Sequence, residues 1–391
     1  GCPLARMRAC GLRQTEAPQL THLITRLAQR AGLDKAPQLY YVPNGTLNAF
    51  ATGYDDLGNS GIFLNALANP FITWETVNTL NVGADFGLFN DKLTGTVEWY
   101  QKTTEDLLFL RPLPPSVGVP SIPENSGSIR NRGVEVSLSS VNFKSPSFRW
   151  QTDFNIAFEN NEIVELSQDE IIDGSKKLMV GKSIYDFFIQ DWAGVDPQDG
   201  MAMWYRDVTD AEGNVTGRET TKNYDEATRY YQGSALADAR GGVFNKLNYK
   251  GIEFSFLISY SLGGKVLDND YAGLMHGMNR PGYQMHADIL NRWQQPGNIT
   301  DVPRLNTGNS DVTQRSSRFL YNNSYMRLRN VTLAYNFGPQ LLQKLNIRTL
   351  RVFAQADNYL TLSNRDGLDP EQNIQGTTDT RSSIFTPLSM G

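Results

Sequence analysis

The sequence predicts an all-β protein: a portion of an antiparallel transmembrane β-barrel with long extracellular loops, preceded by a small α/β segment. Three observations predict it. First, Ile252, Phe254, Phe256, Ile258, Tyr260 and Leu262 fall on one parity, against Glu253, Ser255, Ser259 and Ser261 on the other, with Leu257 the one exception. A period of two held this long means a strand with an oily face and a wet face. Soluble strands average about five or six residues, whereas a membrane-crossing strand needs about nine to eleven. Second, no apolar run approaches the length of a spanning helix. Third, the links between alternating segments are sorted by size.

The segments run in order. Val77 to Phe89 places Leu80, Val82, Ala84, Phe86 and Leu88 on one face. A tight Asn90-Asp91-Lys92 turn leads to Leu93–Leu110, with Leu93, Val97 and Trp99 outward and Thr94, Thr96 and Glu98 inward. A Pro-rich link, 111–129, precedes a strand with Val134, Val136 and Leu138 against Glu135, Ser137 and Ser139. Phe148 to Phe158 alternates again. After an excursion of about eighty residues, 160–240, rich in Asp, Gly and Tyr, strands return at 241–249 and 251–262 around a minimal turn at Lys250. A second excursion, 263–322, precedes 324–337, and a shorter link precedes 349–362. In 324–337, Arg327 and Arg329 share the parity of Val331 and Leu333. That parity points them outward, near the loop end where anionic headgroups begin. The links therefore run short, long, short, very long, short, very long, moderate, long. Brief turns on one rim and long loops on the other are the mark of a membrane barrel rather than a soluble sandwich.

Composition agrees. Mean hydropathy is negative, as a barrel's polar inner face and loops require. The net charge of −5 argues against a nucleic-acid partner, which would call for a concentrated basic surface. Cys2 and Cys10 are the only cysteines, too few for a disulfide framework over the chain. The opening residues lack the apolar core of a secretory signal, so an exported chain is expected to be incomplete at its start.

Residues 1–60 differ in character from 61–391. Leu20, Leu23, Ile24, Leu27, Ala28 and Ala31 recur at helical spacing, with Gly32 suited to a C-terminus. The run Arg26-Leu27-Ala28 to Ala31-Gly32-Leu33, then Leu39-Tyr40 and Asn48-Ala49-Phe50-Ala51-Thr52-Gly53, resembles the segment before the active site in HtpX-type zinc metallopeptidases. That chemistry needs His-Glu-x-x-His, two imidazoles one turn apart on zinc and a Glu that activates water. His22, His276 and His286 are the only histidines; none is followed by Glu and no pair sits four apart. An orphaned fragment with a join near Tyr54 to Ala68 is expected, not a working peptidase.

Several ordered stretches carry a second resemblance. They are Asn69-Pro70 with Trp74-Glu75-Thr76, Asn131-Arg132-Gly133-Val134-Glu135-Val136, and Gly194-Val195-Asp196-Pro197. Further on come Tyr325 to Tyr335, Leu350 to Ala354 and Asp357 to Thr361. Together they resemble the SusC/RagA branch of TonB-dependent outer-membrane transporters. The resemblance implies a 22-stranded barrel, of which this chain holds the last eight or nine strands. It implies import of glycan or peptide oligomers, a plug domain coupled to TonB, and a SusD-type surface lipoprotein over the mouth. The chain stops at Pro387-Leu388-Ser389-Met390-Gly391, before an expected closing strand.

No nucleophile motif, phosphate-binding loop or metal cluster is found, so the chain is read as a transport protein without catalytic residues or cofactor. Asp268/Asp270 and Asp366/Asp369 are read as solvated loop acids, and His276 and His286 as loop residues rather than metal ligands. Trp99, Tyr100, Trp150 and Tyr335 read as girdle or wall residues. The candidate substrate contacts are the loop aromatics Trp192, Trp204, Tyr205, Tyr230, Tyr231 and Trp293. They would stack on sugar or peptide groups beside Asp, Asn and Arg. The alternative is that they pack the loops together.

Overall fold

The computed structural model describes residues 69–365, apart from 279, 281, 309 and 345, and then 369–371, 374–378 and 387–390. Before residue 69 it describes Arg13–Gln14, Arg26, Tyr40–Tyr41, Phe50–Tyr54 and Ser60–Leu64. The helix expected over 18–32, apart from Arg26, lies outside the described residues, as do Cys2, Cys10, His22 and Asp366.

One nine-stranded antiparallel sheet dominates. Its strands are β1 (Thr76–Leu88), β2 (Leu93–Glu105), β3 (Gly127–Lys144), β4 (Phe148–Leu166), β5 (Ala239–Tyr249), β6 (Ile252–Leu262), β7 (Tyr325–Asn336), β8 (Arg351–Ser363) and β9 (Leu388–Met390). Each strand pairs with its sequence neighbour, so the sheet is a pure meander. The described sheet is open, with β1 and β9 at its ends.

Local chemistry sets the turns. Lys250 and Gly251 both have positive φ, 45° and 89°, as a two-residue hairpin turn matching strand twist demands. Phe89, Asn90 and Asp91 also lie at positive φ, between β1 and β2.

Register then sorts the side chains. Ile252 pairs with Tyr335, Phe254 with Leu333 and Phe256 with Val331; across the next ladder Tyr335 meets Val352 and Leu333 meets Ala354. All lie on one face, and Phe254, Leu333, Tyr335 and Val352 are exposed. An exposed oily face of this extent calls for hydrocarbon around it. At the short-turn end it carries aromatic pairs: Phe143–Phe148 at 5.7 Å, Phe148–Tyr249 at 6.5 Å and Tyr335–Phe337 at 4.8 Å. The opposite face is polar. There Glu253 takes Lys246 at 2.9 Å and Arg351 at 3.1 Å, and Ser139 donates to Asp153.

One placement differs from the expected parity. The ladder pairs Leu257 with Asn330 but Ile258 with Leu328, which leaves Arg329 as an extra residue. This bulge flips the facing of everything before it. Leu328 and Met326 become the outward pair of Ile258 and Tyr260, and Arg327 turns inward, only 3% exposed. The outward, headgroup-facing position expected for Arg327 and Arg329 is thereby corrected, since Arg329 likewise donates inward to Ser259 and pairs with Glu371. A charge on the apolar face has no partner there, whereas inside it meets carboxylates.

Contacts divide the chain into two compact units. The one comprising 1–76 and 105–127 holds a hairpin, Leu108–Pro112 with Ser121–Asn125, so the strand expected to run from Leu93 to Leu110 stops at Glu105 and the expected Pro-rich link 111–129 carries most of the hairpin. Asn125 ties Thr73 from both sides, donating to its carbonyl at 3.0 Å and accepting from its N–H at 2.8 Å. Glu75 accepts from the Leu108 N–H at 3.1 Å.

Candidate functional site: the loops of the long-connection rim

The two long excursions leave the wall at the same end, between β4 and β5 and between β6 and β7, and both are folded. The first holds a four-stranded sheet of Ile171–Asp173, Lys176–Leu178, Asp186–Gln190 and Arg229–Ser234, and a three-stranded one of Trp192–Val195, Ala202–Thr209 and Val215–Thr221. The second holds a short helix, Asn269–Leu274, whose N-terminus is capped by Asp268 accepting from the Tyr271 N–H at 2.9 Å. Phe187 and Ile189 from the first excursion pack with Leu267, Tyr271, Met275, Ile289, Val302 and Phe319 from the second. The little periodicity of these stretches in sequence therefore conceals one shared core.

The candidate aromatics are placed by this packing. Trp204 is 1% exposed, edge-on to Trp192 at 5.6 Å and to Tyr224 at 5.4 Å. Its indole N–H has no acceptor among the described residues. Arg318 lies over the Trp192 ring at 4.8 Å and donates to the Val312 carbonyl at 3.1 Å. Burial pulls the Arg318 guanidinium down to about 10. Arg218 is sandwiched between Tyr205 at 3.8 Å and Tyr230 at 4.4 Å, and pairs with Asp191. Tyr231 packs on Phe188 at 5.1 Å and carries the Lys182 ammonium over its ring at 4.7 Å. Trp293 donates from Nε1 to the Pro197 carbonyl at 3.0 Å. Gly200 lies beneath its ring at φ 72°, where an added Cβ would come within 2.5 Å.

Two groupings therefore emerge: an indole–phenol core around Trp204, and cation-covered rings at Trp192, Tyr205, Tyr230 and Tyr231. Trp293 stands apart as the clamp on residues 197–200. The cations were not legible as partners, because Arg318 and Trp192 come from different excursions and no local spacing links them.

Many of the surrounding polar groups are paired with one another. Lys222 bridges Asp196 at 2.6 Å and Asp199 at 2.8 Å. The hydrogen bond from Lys222, helped by backbone N–H groups, holds both carboxyls below the usual range. Burial raises the Tyr224 phenol to about 12; its oxygen lies 2.8 Å from both Gln190 Oε1 and the Arg315 carbonyl. Burial, then the bond to Asp288, raises Tyr271 to about 12. Asp268 is fully buried, and Asp369 is paired with Arg327 rather than solvated. His286 Nδ1 accepts from the Asp288 N–H at 3.2 Å, while His276 is 1% exposed with neither ring nitrogen hydrogen-bonded among the described residues. Among those residues no three His, Cys, Asp or Glu side chains gather as a metal site.

A meander with an oily outside, a polar inside, an aromatic rim at the short-turn end and folded loops at the other defines a wall portion of an outer-membrane β-barrel. The family description "TonB dependent receptor-like, beta-barrel" matches residues 35–359, and the chain belongs to that family. It is 30% identical to TonB-dependent receptor P3 of Formosa agariphila, covering 89% of this chain and 36% of that protein. It is 26% identical to TonB-dependent receptor SusC of Bacteroides thetaiotaomicron, over 78% and 30%. The solved RagAB peptide transporter superposes with a TM-score of 0.72 at 27% identity, covering 86% of this chain and 37% of that one. The chain thus spans about a third of the length of the relatives it matches. The family is one of outer-membrane transporters, not enzymes. The likeness of residues 16–55 to a zinc metallopeptidase finds no support, since the barrel family match begins at residue 35, inside that stretch.

Proposed function

We propose that the chain is the C-terminal part of a SusC-type transporter that imports glycan or peptide oligomers across the outer membrane, energised through TonB. The supporting observation is the folded loop assembly. Two excursions share one core and hold aromatic rings, cations and carboxylates at a single end of a membrane wall. A polar oligomer needs such a surface, because its many donors and acceptors must be matched as its water is removed. In this reading a plug domain carries the TonB contact and a SusD-type lipoprotein covers the mouth. The division of the chain at about residue 60 belongs to the proposal, on the change from helical spacing to a period of two.

Within the loops, Trp192, Tyr205, Tyr230 and Tyr231 are the proposed substrate contacts, with Trp204 and Trp293 holding the surface that presents them. Uptake is measured with fluorescent oligosaccharide and peptide pools in cells producing the full-length transporter. Trp192→Ala with Tyr231→Ala lowers uptake at unchanged surface level. Trp204→Ala and Trp293→Ala lower it by losing the loops, read as faster protease cleavage in intact cells. Uptake unchanged in the double variant removes the capture role.

A further inference from the structure

Phe158 on β4 lies ten positions after Phe148, which stands in the short-turn aromatic rim, and the even positions between them face outward. At about 3.3 Å per residue that is roughly 33 Å of strand, or about 25 Å along the membrane normal at a barrel's tilt. This is the height of the apolar band, so Phe158 marks its far edge. Beyond that edge, on the same outward face, stand Arg130, Arg132 and Glu162. Arg132 follows Val134 and Trp99 in register, since Trp99 pairs with Val134 and Gln101 with Arg132. Glu162 Oε2 accepts from Arg130 Nη2 at 2.9 Å and lies 3.8 Å from Arg132 Nη2. The inward neighbours confirm the facing: Asn161 donates to Asn131 at 2.7 Å on the other side of the sheet.

We propose that Arg130 and Arg132 form a site for the phosphate of an anionic outer-leaflet lipid headgroup, with its acyl chains against Trp99, Val134 and Phe158. One carboxylate bridges two guanidiniums, so the cluster keeps a net positive charge. It holds both forks at one level, with half of the Arg132 side chain still open to the surroundings. Guanidinium forks suit phosphate oxygens through paired charge-assisted hydrogen bonds. Exposed Trp99 and Phe158 lie just below, where the chains of the same lipid begin. The inference rests on the outward face being the lipid face.

The test uses the full-length protein purified from outer membranes in mild detergent, with co-purifying phosphorylated lipid counted per protein by native mass spectrometry. Arg130→Gln with Arg132→Gln lowers the ratio at least five-fold, whereas Glu162→Gln keeps or raises it. In nanodiscs, diphosphoryl lipid A raises the unfolding temperature of the wild type above that in phosphatidylcholine alone, and leaves the double variant unmoved. An unchanged lipid ratio in the double variant overturns the site, as does equal stabilisation by inorganic phosphate alone. Outer-membrane partition and heat-modifiable migration are read on the same samples. If the wild type fails those two, the lipid-facing wall itself is wrong; if only the lipid ratio fails, the headgroup site is.

Discussion

Arg327 on β7 donates from Nη1 to Oε2 of Glu371 at 2.8 Å, a bond made on the inner face of the wall to the segment that follows β8. Nη2 of the same guanidinium meets Asp369 at 2.6 Å and Nε meets Thr361 at 3.0 Å, while Arg329 holds the other oxygen of Glu371. The segment after β8 is thereby pinned to β7. Thr378, farther along it, reaches Asp268 at 3.3 Å, beside the short helix of the second excursion.

Arg327→Met removes the cation that Asp369 and Glu371 share, from a side chain only 3% exposed. Loss of one partner of a buried ion pair costs about 3–5 kcal/mol. The urea midpoint of heat-modifiable migration falls accordingly. Arg327→Lys recovers only part, because an ammonium cannot span both acids as a fork does.

The two faces of β6 predict opposite responses to one charge. Phe256→Arg places a guanidinium in the apolar band and costs about 2–4 kcal/mol, the penalty of a lipid-facing Arg near the midplane. Leu257→Arg places it among Asn330 and the polar interior, and costs less. Equal penalties for the two in a lipid-vesicle folding titration would contradict the assigned facing.

Lys176 gives a pH signature. Its ammonium lies 3.3 Å from the centroid of the Phe187 ring and donates to the Tyr185 carbonyl at 2.6 Å. Burial lowers it to about 7, with Asp186 opposing. Between about 7 and its ordinary 10.5 the unfolded chain therefore binds a proton that the folded loop does not, so stability rises with pH across that window. The penalty is fully present below about 7 and gone above 10.5. Protease cleavage within 171–190 slows from neutral to alkaline pH relative to Lys176→Met, in which the slope disappears.

Gly200→Ala meets two obstacles, a φ of 72° and the Trp293 ring. The expected loss exceeds about 1 kcal/mol, the scale of an alanine forced to positive φ. Faster cleavage near residues 197–200, without change in outer-membrane level, is the readout.

The wall was legible because each strand carries its own instruction. Alternation from Ile252 to Leu262 states which side chains share a face, and Lys250-Gly251 states where the strand reverses. Arg327 was misplaced for a reason internal to the same logic: parity counts residues, and one bulged residue at Arg329 moves the count by one. That bulge is defined by pairing with β6 and β8, strands remote in sequence, so β7 alone could not reveal it. In the loops the types of contact residue were visible, but Trp204 in a core and Trp192 beneath Arg318 depend on chain segments far apart.

The sequence by itself determined the period-two strands, the size-sorted links and therefore a membrane wall, since these follow from local side-chain order and the dielectric on either side. Only the tertiary structure decided which way Arg327 points, which aromatics are covered by cations, and how two excursions form one core. Those depend on register and on contacts between distant segments, where the cost of an unpaired charge or an unfilled core selects the arrangement.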